Sequence, residues 1–375
     1  MKPLRICYIS QTFGLGGAET FVSELLGSLA QKQHAVTAYT NYQPFQKLLQ
    51  QQGISAQSIP VEIDIIGDWK GLLKAAILLP AAWIIYGLIV WKERKVDVFL
   101  ISGFAEKLFV SWWARVFGVS VVWIEFAPMA TVLDKFFGLP RFWYQLAAKF
   151  VATVITSSRH SQRGLLAEKI LTKQQLAMIP CGRNIRPAPF ATLPKKPEII
   201  CISRMEAGKG QDLLVKIFAI VQKKIPHAHL TLVGEGAFLA TVRKLVKKLQ
   251  LSKSITCTGR VPDALKILAT ARVCAVPSIW PLEGFGLVSC EGMAFGKPVV
   301  AFDHGPGNEI IMHNKTGLLA SDGDLQAFAD NIIRLLTDDS LANRLGSAGH
   351  QRFLAHYTIE RTAKQYEVIL QKVCQ

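Results

Sequence analysis

Short apolar runs alternate with amphipathic stretches along nearly the whole chain, and they do so in two series. The first series is Arg5–Ser10, Ala35–Thr40, Val96–Ile101, Val119–Ile124 and Val151–Thr156. The second is Glu198–Ser203, His229–Val233, Ile255–Gly259, Val273–Pro277 and Pro298–Phe302. Between the first two runs, Phe21, Leu25 and Leu29 recur four apart in Glu19–Gln31, with Val22 and Leu26 beside them, which is one face of an α-helix. Alternation of this kind predicts parallel sheets covered by helices on both faces. Right-handed crossovers then make this an α/β chain of two doubly wound halves.

At 375 residues the chain is too long for one ordinary core and suits two domains. The division is expected in Arg186–Pro197, where Pro187, Pro189, Pro194 and Pro197 suit a linker. The expected parts are 1–186, 187–355 and a helical tail, 356–375, free to pack back on the first domain. Charged residues are only 19% and no long polar tract occurs, which excludes extensive disorder.

A net charge of +16 attracts phosphates, nucleic acid or anionic lipid without choosing among them. No five-residue basic run or common nucleic-acid motif is visible, so nucleic acid is not an expected partner. The seven cysteines are scattered and form no C-x-x-C, which reads as reduced thiols in a cytoplasmic chain. The N-terminus enters a strand-like run and a Gly-rich loop, unlike a signal peptide.

Ala75–Trp91 is uncharged and bounded by Lys74 and by Lys92-Glu93-Arg94-Lys95. It has the lower-edge length for a membrane span, but Pro80 and Gly87 interrupt it and a strand-like run follows. The plainer reading is a buried helix with apolar neighbours all round. The functional reading is peripheral contact of residues 72–95 with an anionic membrane, at its cytoplasmic face.

Three motifs carry chemistry. Gly14-Leu15-Gly16-Gly17-Ala18-Glu19 follows the first strand and opens a helix, where backbone amides can approach a phosphate or sugar. It departs from a dinucleotide fingerprint: Glu19 sits where a small residue belongs, and no ribose-binding acid follows the second strand. A tight turn for packing alone is the plain alternative. Ser203-Arg204…Lys209-Gly210 places two cations after a strand end, where α/β folds bind ligands. Elsewhere such a pair would be a solvated loop. Pro281-Leu282-Glu283-Gly284-Phe285-Gly286-Leu287…Glu291 follows a strand and opens a helix that Gly296 can end. Its glycines offer amides at the positive helix end to a diphosphate, Glu283 can accept from sugar hydroxyls, and Glu291 can reach a ribose diol. A merely solvated Glu291 is the plain alternative.

On these residues the second half resembles the donor domain of retaining GT-B glycosyltransferases of glycosyltransferase family 4 (glycosyl transferases group 1). Cys201–Gly210, Leu232-Val233-Gly234-Glu235-Gly236, Thr258-Gly259-Arg260-Val261 and Lys315-Thr316-Gly317-Leu318-Leu319 extend the resemblance over nearly all of 198–335. The first half is similar at Gly16-Gly17-Ala18-Glu19 and Thr156-Ser157-Ser158. The resemblance implies two Rossmann-like domains facing a cleft. It implies that Arg204 and Lys209 neutralise the leaving diphosphate and that Glu283 faces the donor sugar. Gly284, Phe285, Gly286 and Leu287 would supply amides, and Glu291 would hold the ribose. Arg260 and Val261 would border the base, and Gly16 and Gly17 would meet the phosphate from the other domain. Family members often carry a His after the fourth N-terminal strand; here the candidate catalytic residue in that place is Glu125, a carboxylate that cannot play a neutral imidazole's part unchanged and would bind a donor hydroxyl, orient the acceptor, or mark an altered acceptor or lost activity.

The expected activity is metal-independent transfer of a sugar from a nucleoside diphosphate sugar to an acceptor hydroxyl, with retention. The acceptor would be a glycan or lipid-linked molecule in cell-surface glycan, polysaccharide or glycolipid synthesis. A nucleotide-sugar epimerase, another enzyme on a similar frame, or an inactive sugar-nucleotide-binding protein are the rivals. Asp322-Gly323-Asp324 imitates a D-x-D metal motif but reads as a turn and helix cap, and no cluster has metal-ligand spacing.

Overall fold

A computed structural model of the chain describes residues 2–186, 190 and 192–375. Pro187 and Pro189 of the expected linker therefore lie outside the described residues. The chain divides into two compact units: residues up to Gly182 with Ile359–Gln375, and Arg183–Thr358.

The first unit holds β1 (Arg5–Ile9), β2 (Ala35–Thr40), β3 (Ser55–Ser58), β4 (Val98–Ile101), β5 (Ser120–Glu125), β6 (Thr153–Thr156) and β7 (Leu176–Met178). They form one seven-stranded sheet in the order β3-β2-β1-β4-β5-β6-β7, parallel throughout. The second unit holds β8 (Glu198–Ile202), β9 (His229–Val233), β10 (Ile255–Gly259), β11 (Val273–Val276), β12 (Val299–Phe302) and β13 (Gly317–Ala320). Its six-stranded parallel sheet runs β10-β9-β8-β11-β12-β13. Each sheet reverses its strand order once, between β1 and β4 and between β8 and β11. Such reversals leave a crevice at the strands' carboxyl ends, the ordinary ligand position in doubly wound folds.

The central strands are apolar on both faces because helices cover both. All four side chains of β4 are fully buried, as are Ile6, Cys7 and Ile9 of β1. Three strands went unread in the sequence: β3, β7 and β13. All three are sheet edges, and each is short. β3 reads Ser-Ala-Gln-Ser, with nothing to bury; its pairing from Thr37↔Ser55 to Thr40↔Ser58 makes it a strand.

The last helix, Ile359–Val373, belongs to the first unit and lies along the helix Gly17–Gln31. Lys32 Nζ donates to Glu367 Oε2 (3.2 Å), Tyr366 meets Phe21, and Ser120 Oγ donates to the Val373 carbonyl.

The apolar segment after residue 68 is one helix, Trp69–Lys92, capped by Asp68, which accepts from the Gly71 amide (2.7 Å). It is not buried all round, so the plainer reading of the sequence is corrected here. Ala75, Ala82, Tyr86, Ile89 and Val90 pack inward, while Trp69, Leu73, Ile77, Ile84, Leu88 and Trp91 are exposed. Helical spacing of three, four and seven puts those six on one stripe. The inward face has small residues because Trp113 lies against it: a Cβ on Gly87 would stand 2.7 Å from that ring.

Candidate functional site

In the second unit the loops after β8 and β11 meet at the point where the strand order reverses. Their closeness explains their glycines. Gly210 has φ 77°, and a Cβ there would stand 1.9 Å from the Pro277 carbonyl oxygen. Gly234, after β9, has φ 140° and would meet the Ser203 carbonyl at the same distance. The Ile279 amide donates to the Gly208 carbonyl (2.9 Å), joining the two loops. Gln211, wholly buried, braces the first loop from below: its Nε2 donates to Ser203 Oγ and to the Arg204 carbonyl, both at 2.7 Å.

This backbone holds a cation–carboxylate pair. Lys209 Nζ donates to Glu283 Oε2 (2.8 Å), and Ser278 Oγ donates to the same oxygen (2.8 Å). Lys209 also lies 5.5 Å from the centre of the Trp280 ring. The pair is partly open: the side chains are 14% and 22% exposed. Arg204 is far more exposed and pairs with half-buried Glu206 at 3.0 Å. Such a contact holds an arginine weakly and leaves it able to swing.

Gly286, at φ 88°, turns the chain into the helix Leu287–Ala294, so the helix amides open beside Glu283. Phe285 packs inward, edge-on to Tyr357, so this position can offer a ligand its backbone and not its ring. Glu291 is buried within the helix, and its Oε1 accepts from Arg183 Nη1. Arg183 is itself buried, and its amide donates to the Tyr357 carbonyl (2.9 Å). Arg260 follows β10 and pairs at 3.4 Å with Glu235, both exposed, with Val261 half-buried beside it. Arg204, Lys209, Glu283 and the Gly284–Leu287 run thus gather at the crevice. Arg260 and Val261 lie two strands away along the same sheet edge.

In the first unit the corresponding crevice is filled by the chain's own groups. Tyr8 Oη and Ser102 Oγ lie 2.6 Å apart, and Ser102 Oγ donates to Ser10 Oγ (3.0 Å). Gln11 takes the Ile63 amide on Oε1 and gives Nε2 to Tyr86 Oη (2.7 Å). Tyr86 Oη donates to Glu106 Oε1 (2.6 Å). Burial pushes the Glu106 carboxyl above its ordinary range, partly offset by the bond from Tyr86. Glu125, the last residue of β5, is buried; Lys107 Nζ and Tyr144 Oη both donate to its Oε1 at 2.8 Å. Burial, and then the Glu125 charge, holds the Tyr144 phenol well above its ordinary value.

The Gly-rich loop has its own answer to the departure at residue 19. Glu19 Oε2 accepts from the Gly16 amide (2.8 Å), and Oε1 accepts from Thr12 Oγ1 (2.7 Å). Glu19 is a helix cap, and it occupies the Gly16 amide; Gly17 opens the helix. Asp324 likewise caps, accepting from the Ala327 amide (2.9 Å), while Asp322 is 2.8 Å from His304 Nδ1. Among the described residues no group of three His, Cys, Asp or Glu is placed to hold a metal.

Sequence reasoning did not single out Arg183, Ser278, Trp280, Lys107 or Tyr144. None belongs to a spaced motif; each joins the site only through the fold.

Residues 184–352 match the family model for glycosyl transferases group 1. The second unit belongs to that family. Over 172 residues the chain is 35% identical to the GDP-mannose-dependent alpha-(1-6)-phosphatidylinositol monomannoside mannosyltransferase of Mycobacterium tuberculosis, covering 44% of this chain and 45% of that protein. The N-acetyl-alpha-D-glucosaminyl L-malate synthase of Bacillus anthracis is 32% identical over 171 residues, covering 46% of this chain and 44% of that protein. The match thus spans about half the length of these curated relatives. The whole chain shares its fold with GT-B glycosyltransferase structures. A crystal structure of Anabaena Alr3699/HepE with UDP has a TM-score of 0.84 at 19% identity, over 98% of this chain and 100% of that one. Sucrose-phosphate synthase from Thermosynechococcus elongatus gives 0.78 at 22%, over 99% of each. The likeness to these structures concerns the fold: two Rossmann-like units with parallel sheets.

Proposed function

We propose that this chain is a retaining glycosyltransferase that moves a sugar from a nucleoside diphosphate sugar to an acceptor hydroxyl. The observation that carries the reading is the Lys209–Glu283 pair, set beside the opening of the helix Leu287–Ala294 at the strand-order reversal of the family-matched unit. Arg204 and Lys209 face the diphosphate, and the Gly284–Leu287 amides stabilise charge as it develops there. Glu283, held by Lys209 and Ser278, accepts from the donor sugar's hydroxyls. Glu291, held by Arg183, accepts from the ribose, and Arg260 and Val261 border the base.

No carboxylate in the second unit's crevice is proposed as a nucleophile. The acceptor oxygen attacks from the face the diphosphate leaves, and the leaving phosphate oxygen takes the acceptor proton. No step needs a metal. In the first unit, Glu19 holds the Gly16 amide and Gly17 opens the helix. Glu125 acts by holding Lys107 and Tyr144 and not by contact with the sugar.

The acceptor is a glycan or lipid-linked molecule at the cytoplasmic face of a membrane. A relative is named for acting on a phosphatidylinositol mannoside. The exposed stripe Trp69–Trp91 is flanked by Lys70 and Lys74 at one end and Lys92, Arg94 and Lys95 at the other, a layout suited to lying in an anionic interface.

A thermal-shift series with nucleoside diphosphates and nucleotide sugars tests the donor site. A ligand at ~100 times its dissociation constant should add ~2.7 kcal/mol to stability. The shift should appear with one base and vanish in Glu291→Gln. Conversion of the nucleotide sugar to its epimer, without any acceptor and without release of the nucleoside diphosphate, would instead favour an epimerase.

A further inference from the structure

The turn after residue 134 is built against the chain's own preferences. Phe136 (φ 49°) and Phe137 (φ 59°) are both left-handed, and Gly138 (φ 82°) follows in the same region. A left-handed non-glycine residue costs about 1–2 kcal/mol, and two in succession are uncommon. The turn is nevertheless pinned in place: Lys135 Nζ donates to the carbonyls of Ile66 (2.6 Å) and Gly67 (3.2 Å). The result is to set Phe136 edge-on against Trp69, with ring centres 4.8 Å apart, and to leave Phe137 99% exposed. Folding alone does not account for a strained turn that presents a phenylalanine to water.

These side chains make a groove. Trp69, Leu72, Phe136, Phe137, Leu139 and Phe142 line an open, apolar space of about 480 Å³. On the neighbouring side of the same helical turn lies a smaller, mixed pocket of about 220 Å³. It is bounded by Phe13 of the Gly-rich loop, by Glu62 and Asp64, and by Lys74. Trp69 and Leu72 face the groove while Gly71, Lys74 and Ala75 face the pocket, so one turn of helix separates them. Trp69 also begins the exposed stripe that runs through Leu73, Ile77 and Ile84.

We propose that the groove receives a hydrocarbon chain of a membrane-borne, phosphate-bearing acceptor, whose hydroxylated head lies in the Phe13–Lys74 pocket beside the Gly-rich loop. This rests on the proposed lipid-linked acceptor and says where it sits. The chemistry matches at each end. Aromatic walls withdraw the chain from water, Lys74 attracts the phosphate, and Glu62 accepts from hydroxyls together with Oδ2 of Asp64, whose Oδ1 already takes the Ile66 and Gly67 amides. The stripe's continuity with Trp69 lets the chain pass from the bilayer into the groove without crossing water.

The test uses the full chain and bromoundecyl phosphate, bromine at its chain end, below its micelle-forming concentration. Bromine close to an indole quenches its emission. Saturable quenching is expected, most of it lost in Trp69→Phe. In Phe137→Asp and Phe142→Asp the concentration for half-quenching should rise roughly tenfold or more, the scale of about 1.4 kcal/mol for one withdrawn aromatic face. Phe137 is exposed, so its substitution leaves the core alone. Ile77→Asp with Ile84→Asp should keep the quenching and lose flotation with mixed phosphatidylcholine–phosphatidylglycerol vesicles. Absent quenching, or quenching unchanged by the two phenylalanine substitutions, overturns the groove. Flotation failing in the unaltered protein while quenching behaves as expected overturns membrane docking and supports the groove.

Discussion

The two strand-order reversals have the same topology and opposite contents. Near the first, Glu106 in the helix after β4 and Glu125 at the end of β5 are buried with partners from the chain itself: Tyr86, Gln11, Lys107 and Tyr144. Between β8 and β11, Lys209 and Glu283 hold one another in a partly open crevice, and Arg204 stands in solvent. A crevice that completes its own hydrogen bonds contributes to folding. One that leaves cations and helix amides facing outward is ready for an anion.

That contrast can be broken most directly by removing a carboxylate from each. Glu125→Ala takes the counter-charge from Lys107, 2% exposed and left with only the Ser102 carbonyl (3.1 Å) of the partners described, and should cost about 3–5 kcal/mol in denaturant unfolding. A loss below ~1 kcal/mol would mean that water or a shift of Lys107 relieves the charge, and the first crevice is not self-completed. Next in size, Lys209→Ala should lower kcat for sugar transfer roughly 100- to 1000-fold while shifting stability little, because its site serves developing charge. Equal losses of stability and rate would erase the distinction between the crevices.

A pH measurement sharpens the comparison through the buried lysines. Lys107 faces a carboxylate, whereas Lys297 Nζ donates to the Ala269 carbonyl (2.7 Å). Burial lowers the Lys297 ammonium to about 8, with Cys274 the nearby titratable group, its own thiol pushed up by burial. The unfolded chain keeps its proton to higher pH than the folded one. Folding stability should therefore gain a contribution as pH rises from about 8 toward the unfolded value, and lose that slope in Lys297→Met. A slope that survives the substitution would assign it elsewhere. The smallest effect is expected at Arg260→Ala: under ~1 kcal/mol of stability, as for any exposed pair, with the change confined to which nucleotide base gives the larger thermal shift.

Much of the fold was legible because parallel strands covered on both faces must be apolar along their whole length. The central strands therefore announced themselves. β3 and β7 did not, since an edge strand needs only one partner and little burial, and Ser55–Ser58 has no strand signature at all; β13 is mostly buried but only four residues long. The candidate donor loops were legible for a different reason. Gly210, Gly234 and Gly286 stand where the backbone takes φ values or contacts that a side chain would disturb, so they leave a mark in the sequence.

The sequence by itself determined the two doubly wound units, the loops that bear Arg204, Lys209 and Glu283, and the helix that bears Glu291. Periodicity and glycine spacing are local properties, and they survive being read one residue at a time. Only the tertiary structure decided which polar groups are already spoken for. Glu19 and Glu283 look alike in the chain, yet one caps a helix and the other faces a crevice with Lys209. Arg183 meets Glu291, and Lys107 meets Glu125, across separations that no spacing rule covers. Which face of Trp69–Lys92 stays in water was settled in the same way. The helix is apolar all round, and only packing against Trp113 and its neighbours could choose the side to bury.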